Sequence, residues 1–175
     1  MLDRMKFLMT CGCLIAASPL WANIVTFGAE SADFGVYCAV DPDVEVPAEG
    51  TISGVVNLVT EPPVFQRRTN LIPAQIGVGF GVHLMVSPDY QGQIVVQTTH
   101  PPMGPEGITR ENWVTEVTEG RMALHGFSFE YDYEMVRGDW SISASVDGRL
   151  IYHADFVVVD PATVPPLACT GQMLS

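Results

Sequence analysis

The strongest constraint on this chain is a two-residue turn between two alternating stretches. Trp140, Ile142, Ala144 and Val146 alternate with Ser141, Ser143 and Ser145; Asp147-Gly148 follows; then Leu150, Tyr152, Ala154, Phe156 and Val158 alternate again. A period of two places one set of side chains on one face of a strand. Asp-Gly between such stretches takes the left-handed backbone that a tight hairpin needs. The last third is therefore predicted to be two long antiparallel strands.

The same punctuation runs through the rest of the sequence. Phe34, Val36, Cys38 and Val40 alternate until Asp41-Pro42-Asp43; Thr51 to Thr60 is rich in Val and Ile and ends at Pro62-Pro63; residues 64–73 read as a loop. Ile76, Val78, Phe80, Val82, Leu84 and Val86 form an apolar row whose opposite face is mostly Gly77, Gly79 and Gly81 with His83. Glycine weakens a strand, so this pattern calls for a close neighbour or a binding surface. Gln93 to Thr99 and Trp113 to Thr118 read as further strands. His100 to Gly107, with Pro101, Pro102 and Pro105, reads as a stiff exposed loop. Around Leu124 to Phe127 the parity switches, which predicts a bulge near Gly126. No stretch has useful helical periodicity. The expected fold is all-β, an antiparallel immunoglobulin-like sandwich of seven to nine strands, with a small closed barrel as the alternative.

The first residues have the layout of an export signal. Arg4 and Lys6 precede an apolar run from Phe7 to Ala17 that is too short to span a membrane, and polar spacing resumes at Asn23. Residues 1–22 are read as the signal, residues 23–160 as the sandwich domain and residues 161–175 as a tail. Cys13 after Gly12 raises lipidation, but Thr10 is a poor residue for that motif. Beyond the signal only Cys38 and Cys169 remain. In an oxidising compartment they pair in one way, tying the tail to an early strand and contributing about 4 kcal/mol in the chain-entropy model. Two free thiols or an intermolecular bond are the alternatives. The expected location is the periplasm or the exterior.

Eight Lys+Arg against twenty Asp+Glu give a net charge of −12. Such a surface repels nucleic acid and anionic headgroups. Lys6 is the only lysine, so the exported part lacks Schiff-base and phosphate-loop chemistry. His83, His100, His125 and His153 lie far apart, with no metal-ligand spacing, and no cofactor is implied. His100 and Met103 resemble soft copper ligands, yet a proline-rich turn explains them as well. Glu130, Asp132 and Glu134 share a strand parity opposite Phe129, Tyr131 and Tyr133. With His125 they constitute the enzyme alternative, an envelope hydrolase; the simpler reading is a solvated face. An exposed Trp113 with Tyr90 or Tyr133 would form a platform for a peptide or glycan.

Phe129-x-Tyr131-x-Tyr133, Gly138-x-Trp140-x-Ile142, Gly148-x-Leu150 and Phe156-x-Val158 resemble an uncharacterised family of exported bacterial immunoglobulin-like domains of unknown function. Phe34-Gly35-x-Tyr37 and Val78-Gly79-Phe80-Gly81-Val82 are similar to it too. The resemblance implies a small β-sandwich from a Gram-negative bacterium, with no known activity and no functional residue to carry over. The expected role is a non-enzymatic binding or accessory module that contacts an envelope protein or a glycan. Its candidate surfaces are the glycine face with His83, the 100–107 loop with His100 and Met103, and the aromatic residues Tyr90, Trp113 and Tyr133. A self-associating adhesion domain is a further alternative.

Overall fold

A computed structural model describes residues 24–90, 92–117 and 120–169. The proposed signal peptide and its cleavage site lie outside the described residues. Eleven strands follow in order: β1 Ile24–Thr26, β2 Ala29–Cys38, β3 Val44–Pro47, β4 Val55–Leu58, β5 Leu71–Pro73, β6 Val78–Val86, β7 Gly92–Met103, β8 Ile108–Val117, β9 Ala123–Ser128, β10 Gly138–Val146 and β11 Arg149–Val159. They exceed the expected seven to nine because short segments such as β1 and β5 carry no period of their own. One sheet runs β1-β11-β10-β7-β8, with β5 added in parallel to β11. A second runs β2-β6-β9, and β3 and β4 form a separate hairpin. The strands are otherwise antiparallel.

The Asp147-Gly148 hairpin forms as predicted, both residues having positive φ, 48° and 74°. A register shift at Ala144/Ser145 moves the parity of β11 by one residue. Ile151 and Tyr152 are both buried, and Leu150 turns outward. The two main sheets face each other across Val36, Phe80, Val82, Leu84, Ile94, Ile142 and Phe156. Trp140 stands edge-on to Phe80 with ring centroids 5.5 Å apart, and its indole N–H donates to the Val136 carbonyl at 3.0 Å. A buried indole needs such an acceptor.

Several segments depart from the sequence reading. Residues 64–73 are not simply a loop: Phe65 is buried, Arg67 bridges to Val36, and β5 pairs with β11. The proposed loop 100–107 is mostly strand. β7 continues through Pro101 and Pro102 to a buried Met103, and only residues 104–107 turn. The prolines are tolerated because pairing with β10 ends at Thr99 and pairing with β8 breaks between Thr99 and Met103, so no ladder donor is needed there. No bulge occurs at Gly126: β9 keeps one register with β6 from Ala123 to Ser128. His125 is an inward-facing member of that strand, and its polarity broke the apparent pattern.

The glycine face of β6 is filled by the chain itself. A Cβ on Gly79 would overlap the Tyr37 ring, and one on Gly81 would meet the β9 backbone. Phe65 stacks on His83 with centroids 4.0 Å apart. Cys38 and Cys169 are bonded, with Cα atoms 5.1 Å apart across 131 residues of sequence. Arg67 holds the same tail by donating to the Pro165 and Pro166 carbonyls. No helix among the described residues is long and apolar enough to cross a membrane.

Candidate functional site

The two main sheets end on one side in β8 and β9, and the β3–β4 hairpin lies between them. Its connecting turn is stabilised locally: Ala48 N–H donates to Gly54 O at 2.8 Å, and Thr51 Oγ1 donates to Ala48 O at 2.9 Å. Gly54 has φ of 76°, which closes the turn without strain. The turn is fastened to β8 by Asn112 N–H to Gly50 O at 2.9 Å and by Ile52 N–H to Glu111 Oε2 at 2.6 Å. Across the opening, Asn57 Nδ2 donates to Glu130 Oε1 at 2.9 Å. Between these fastenings lies a cleft of about 990 Å³. Trp113 from β8, Leu124 and Phe127 from β9, Val56 from the hairpin, and Tyr131 and Tyr133 supply its apolar lining.

The polar lining is acidic. Asp43, Glu45, Glu111, Glu116, Glu130 and Glu134 border the cleft, against one cation among the described residues, Arg121. Glu111 is buried, and its other oxygen lies 3.4 Å from His100 Nε2. Glu134 folds back and accepts from the backbone N–H of Glu130 at 2.6 Å and of Tyr131 at 2.9 Å. Burial pushes its carboxyl up. The two N–H bonds oppose this, and the charges of Glu130 and Glu111 reinforce it. Beside it the Tyr131 and Tyr133 rings are exposed and stacked, with centroids 5.5 Å apart and planes 8° from parallel. Partial burial and the nearby carboxylate of Glu134 raise the Tyr133 phenol. At the floor, burial pushes Tyr37 up to about 12, partly offset by its hydrogen bond with Ser128 at 3.3 Å.

Residues 27–158 match a family described as a domain of unknown function, DUF3859. The chain belongs to that family. The fold is also similar to an immunoglobulin-like protein from Pseudomonas aeruginosa known from its crystal structure. That similarity has a TM-score of 0.52 at 19% identity and covers 78% of this chain and 97% of the other. It bears on fold alone: mostly antiparallel sheets resembling an immunoglobulin-like sandwich. No curated protein matches the chain. The resemblance to an uncharacterised immunoglobulin-like family, drawn from packing and turn motifs, is thus confirmed.

In this DUF3859 domain the candidate residues separate. Trp113 and Tyr133 meet at the cleft. Tyr90 lies in a 3-10 turn, Pro88–Tyr90, away from that lining, under the Arg149 guanidinium at 4.5 Å. His83 is half-buried beneath Phe65, so the glycine face is not the free surface that the sequence allowed. His100 and Met103 are buried, the imidazole lying against Trp140, and neither sits on an exposed loop. Glu130, Asp132 and Glu134 do not share a strand face. The chain leaves the sheet after Ser128, and Asp132–Glu134 is a 3-10 turn. That turn reverses the expected sides, with Glu134 buried and Tyr131 and Tyr133 outward. Asp132 is exposed and outside the lining; His125, which borders the cleft along with Glu130 and Glu134, is buried, its Nδ1 3.0 Å from the Tyr152 hydroxyl. Asp132 thus stands apart from the other three members of the proposed hydrolase set, and no group of three or more His, Cys, Asp or Glu among the described residues is placed to hold a metal.

Sequence reasoning missed Glu111, Arg121, Asn57 and the edge of β9. For Glu111 a signal was present: the parity of Trp113 and Thr115, extended two residues back, reaches it. Nothing in the sequence said that the β3–β4 hairpin stands off from both sheets.

Proposed function

We propose that this chain is an exported, non-enzymatic binding module whose recognition site is the cleft between β8, β9 and the β3–β4 hairpin. The observation that carries the reading is the cleft itself: about 990 Å³, apolar at its walls, with carboxylates and an exposed Tyr131–Tyr133 stack at its border. Apolar lining with a few placed polar groups is the usual character of a binding site. Export is supported by the N-terminal layout and by the Cys38–Cys169 bond, which suits an oxidising compartment. Peptide and glycan ligands both fit an aromatic and acidic surface.

The test is a screen of peptides and oligosaccharides against the oxidised protein, read by intrinsic fluorescence, because Trp113 lines the cleft. Hits are repeated on Val56→Arg, which fills the cleft, and on Tyr131→Ala/Tyr133→Ala. Binding lost in both variants with an unchanged circular dichroism spectrum supports the reading. Hits that bind both variants as tightly as the parent defeat it.

A further inference from the structure

Resting on that cleft reading, we infer that the occupant is an extended, lysine- or arginine-bearing polypeptide segment that adds as a strand to β9. The argument begins with the backbone. β9 has a strand neighbour, β6, on one side only among the described residues. Phe129 N–H donates to Val78 O and Gly77 N–H donates to Phe129 O, so Phe129 turns its polar groups toward β6. In an antiparallel pair the direction alternates. Phe127, His125 and Ala123 therefore also face β6, and Leu124, Gly126 and Ser128 turn their N–H and C=O groups outward. All three residues line the cleft.

Natural edge strands are usually blunted by a charge, a proline or a bulge. β9 has none of these: its sequence is Ala-Leu-His-Gly-Phe-Ser, and its register with β6 is unbroken. Six residues of strand span about 20 Å, a length that an incoming segment of similar size can match. Main-chain pairing with an exposed edge is an established mode of peptide capture.

Charge selects the occupant. Asp43, Glu45 and Glu116 are exposed along the wall opposite β9 or beside it, Glu130 is half-buried, and Arg121 is the only cation in the lining among the described residues. A second copy of the chain, at a net charge of −12, is repelled from this surface. Basic side chains on alternate positions of an added strand would meet the acidic wall while their backbone pairs with Leu124, Gly126 and Ser128.

The experiment titrates the oxidised protein with a short blocked peptide alternating valine and lysine, followed by amide NMR. The expected result is shifts and slowed exchange at Leu124, Gly126 and Ser128. Raising the salt from about 50 mM to about 500 mM should weaken binding markedly, because these charges are exposed. Glu45→Lys/Glu116→Lys should weaken it about tenfold or more, and a valine–glutamate peptide should not bind. The same peptide methylated on alternate backbone nitrogens should also fail. If it binds equally, strand addition is overturned while the cleft survives as a recognition site. If the lysine peptide moves no cleft amide, the inference fails, and the independent screen with Val56→Arg decides whether the cleft reading falls with it.

Discussion

Acidification should destabilise this domain through His125. The imidazole is buried, its Nδ1 is 3.0 Å from the Tyr152 hydroxyl, and its Nε2 has no partner among the described residues. Burial pushes its pKa from 6.5 down to about 4. The unfolded chain therefore takes up a proton below 6.5 that the folded chain refuses until about 4. Stability from this site is complete above 6.5 and drains away as the pH falls through that window. At about 1.4 kcal/mol per pH unit, the whole interval corresponds to about 3 kcal/mol, of which about 2 kcal/mol is lost between pH 7 and pH 5. Glu134, whose carboxyl is raised by burial, works in the opposite direction: its contribution is lost as pH rises through its folded value. Urea denaturation of the oxidised protein at the two pH values should shift the midpoint by about 1 M. The comparison is His125→Leu/Tyr152→Phe, which removes both polar partners together and avoids leaving one buried and unpaired. Its midpoint should move much less than that of the parent. Equal shifts in parent and double variant would show that His125 is not the titrating group.

Three further outcomes are expected. Cys38→Ser/Cys169→Ser should lose about 2–5 kcal/mol in denaturant, and reductant should lower the melting temperature of the parent but not of this variant. Gly79→Ala should cost about 1–3 kcal/mol by overpacking against Tyr37, with thermal melting recovering part of the loss in Gly79→Ala/Tyr37→Leu. Glu111→Gln should keep the Ile52 N–H bond yet remove the charge facing His100, whereas Glu111→Ala should free the Gly50–Gly54 turn; faster amide exchange at Ile52 in the alanine variant alone checks this.

The sheets were legible where polar and apolar residues alternate without interruption. β10 and β11 could be read almost residue by residue because solvent takes one face and the core the other. Legibility failed where a buried position is polar. His125 and Glu111 sit inside because each finds a particular partner, Tyr152 for one and Ile52 with His100 for the other. Such pairings join residues distant in sequence and leave no local pattern. Tyr131 and Tyr133 misled for the reverse reason. Their spacing continues that of Phe127 and Phe129, but the chain turns after the strand, and the Glu134 carboxylate takes the N–H groups that a sheet neighbour would have used. The cleft depends on a hairpin that packs at a distance, so its residue types were visible and their assembly was not.

The Cys38–Cys169 bond also decides how the domain carries mechanical load. A pull applied between Ile24 and Cys169 reaches the bond through residues 24–38 and then bypasses the 131-residue span it encloses. At about 3.5 Å per extended residue, the first segment can pay out only roughly 50 Å of chain, whereas the enclosed span would release on the order of 450 Å once the bond is reduced. While oxidised, the core formed by β6, β10 and β11 lies in a covalent loop shielded from tension on the two ends. The domain thus behaves as a short tether with a folded body hanging from it, and reduction turns it into a long extensible one.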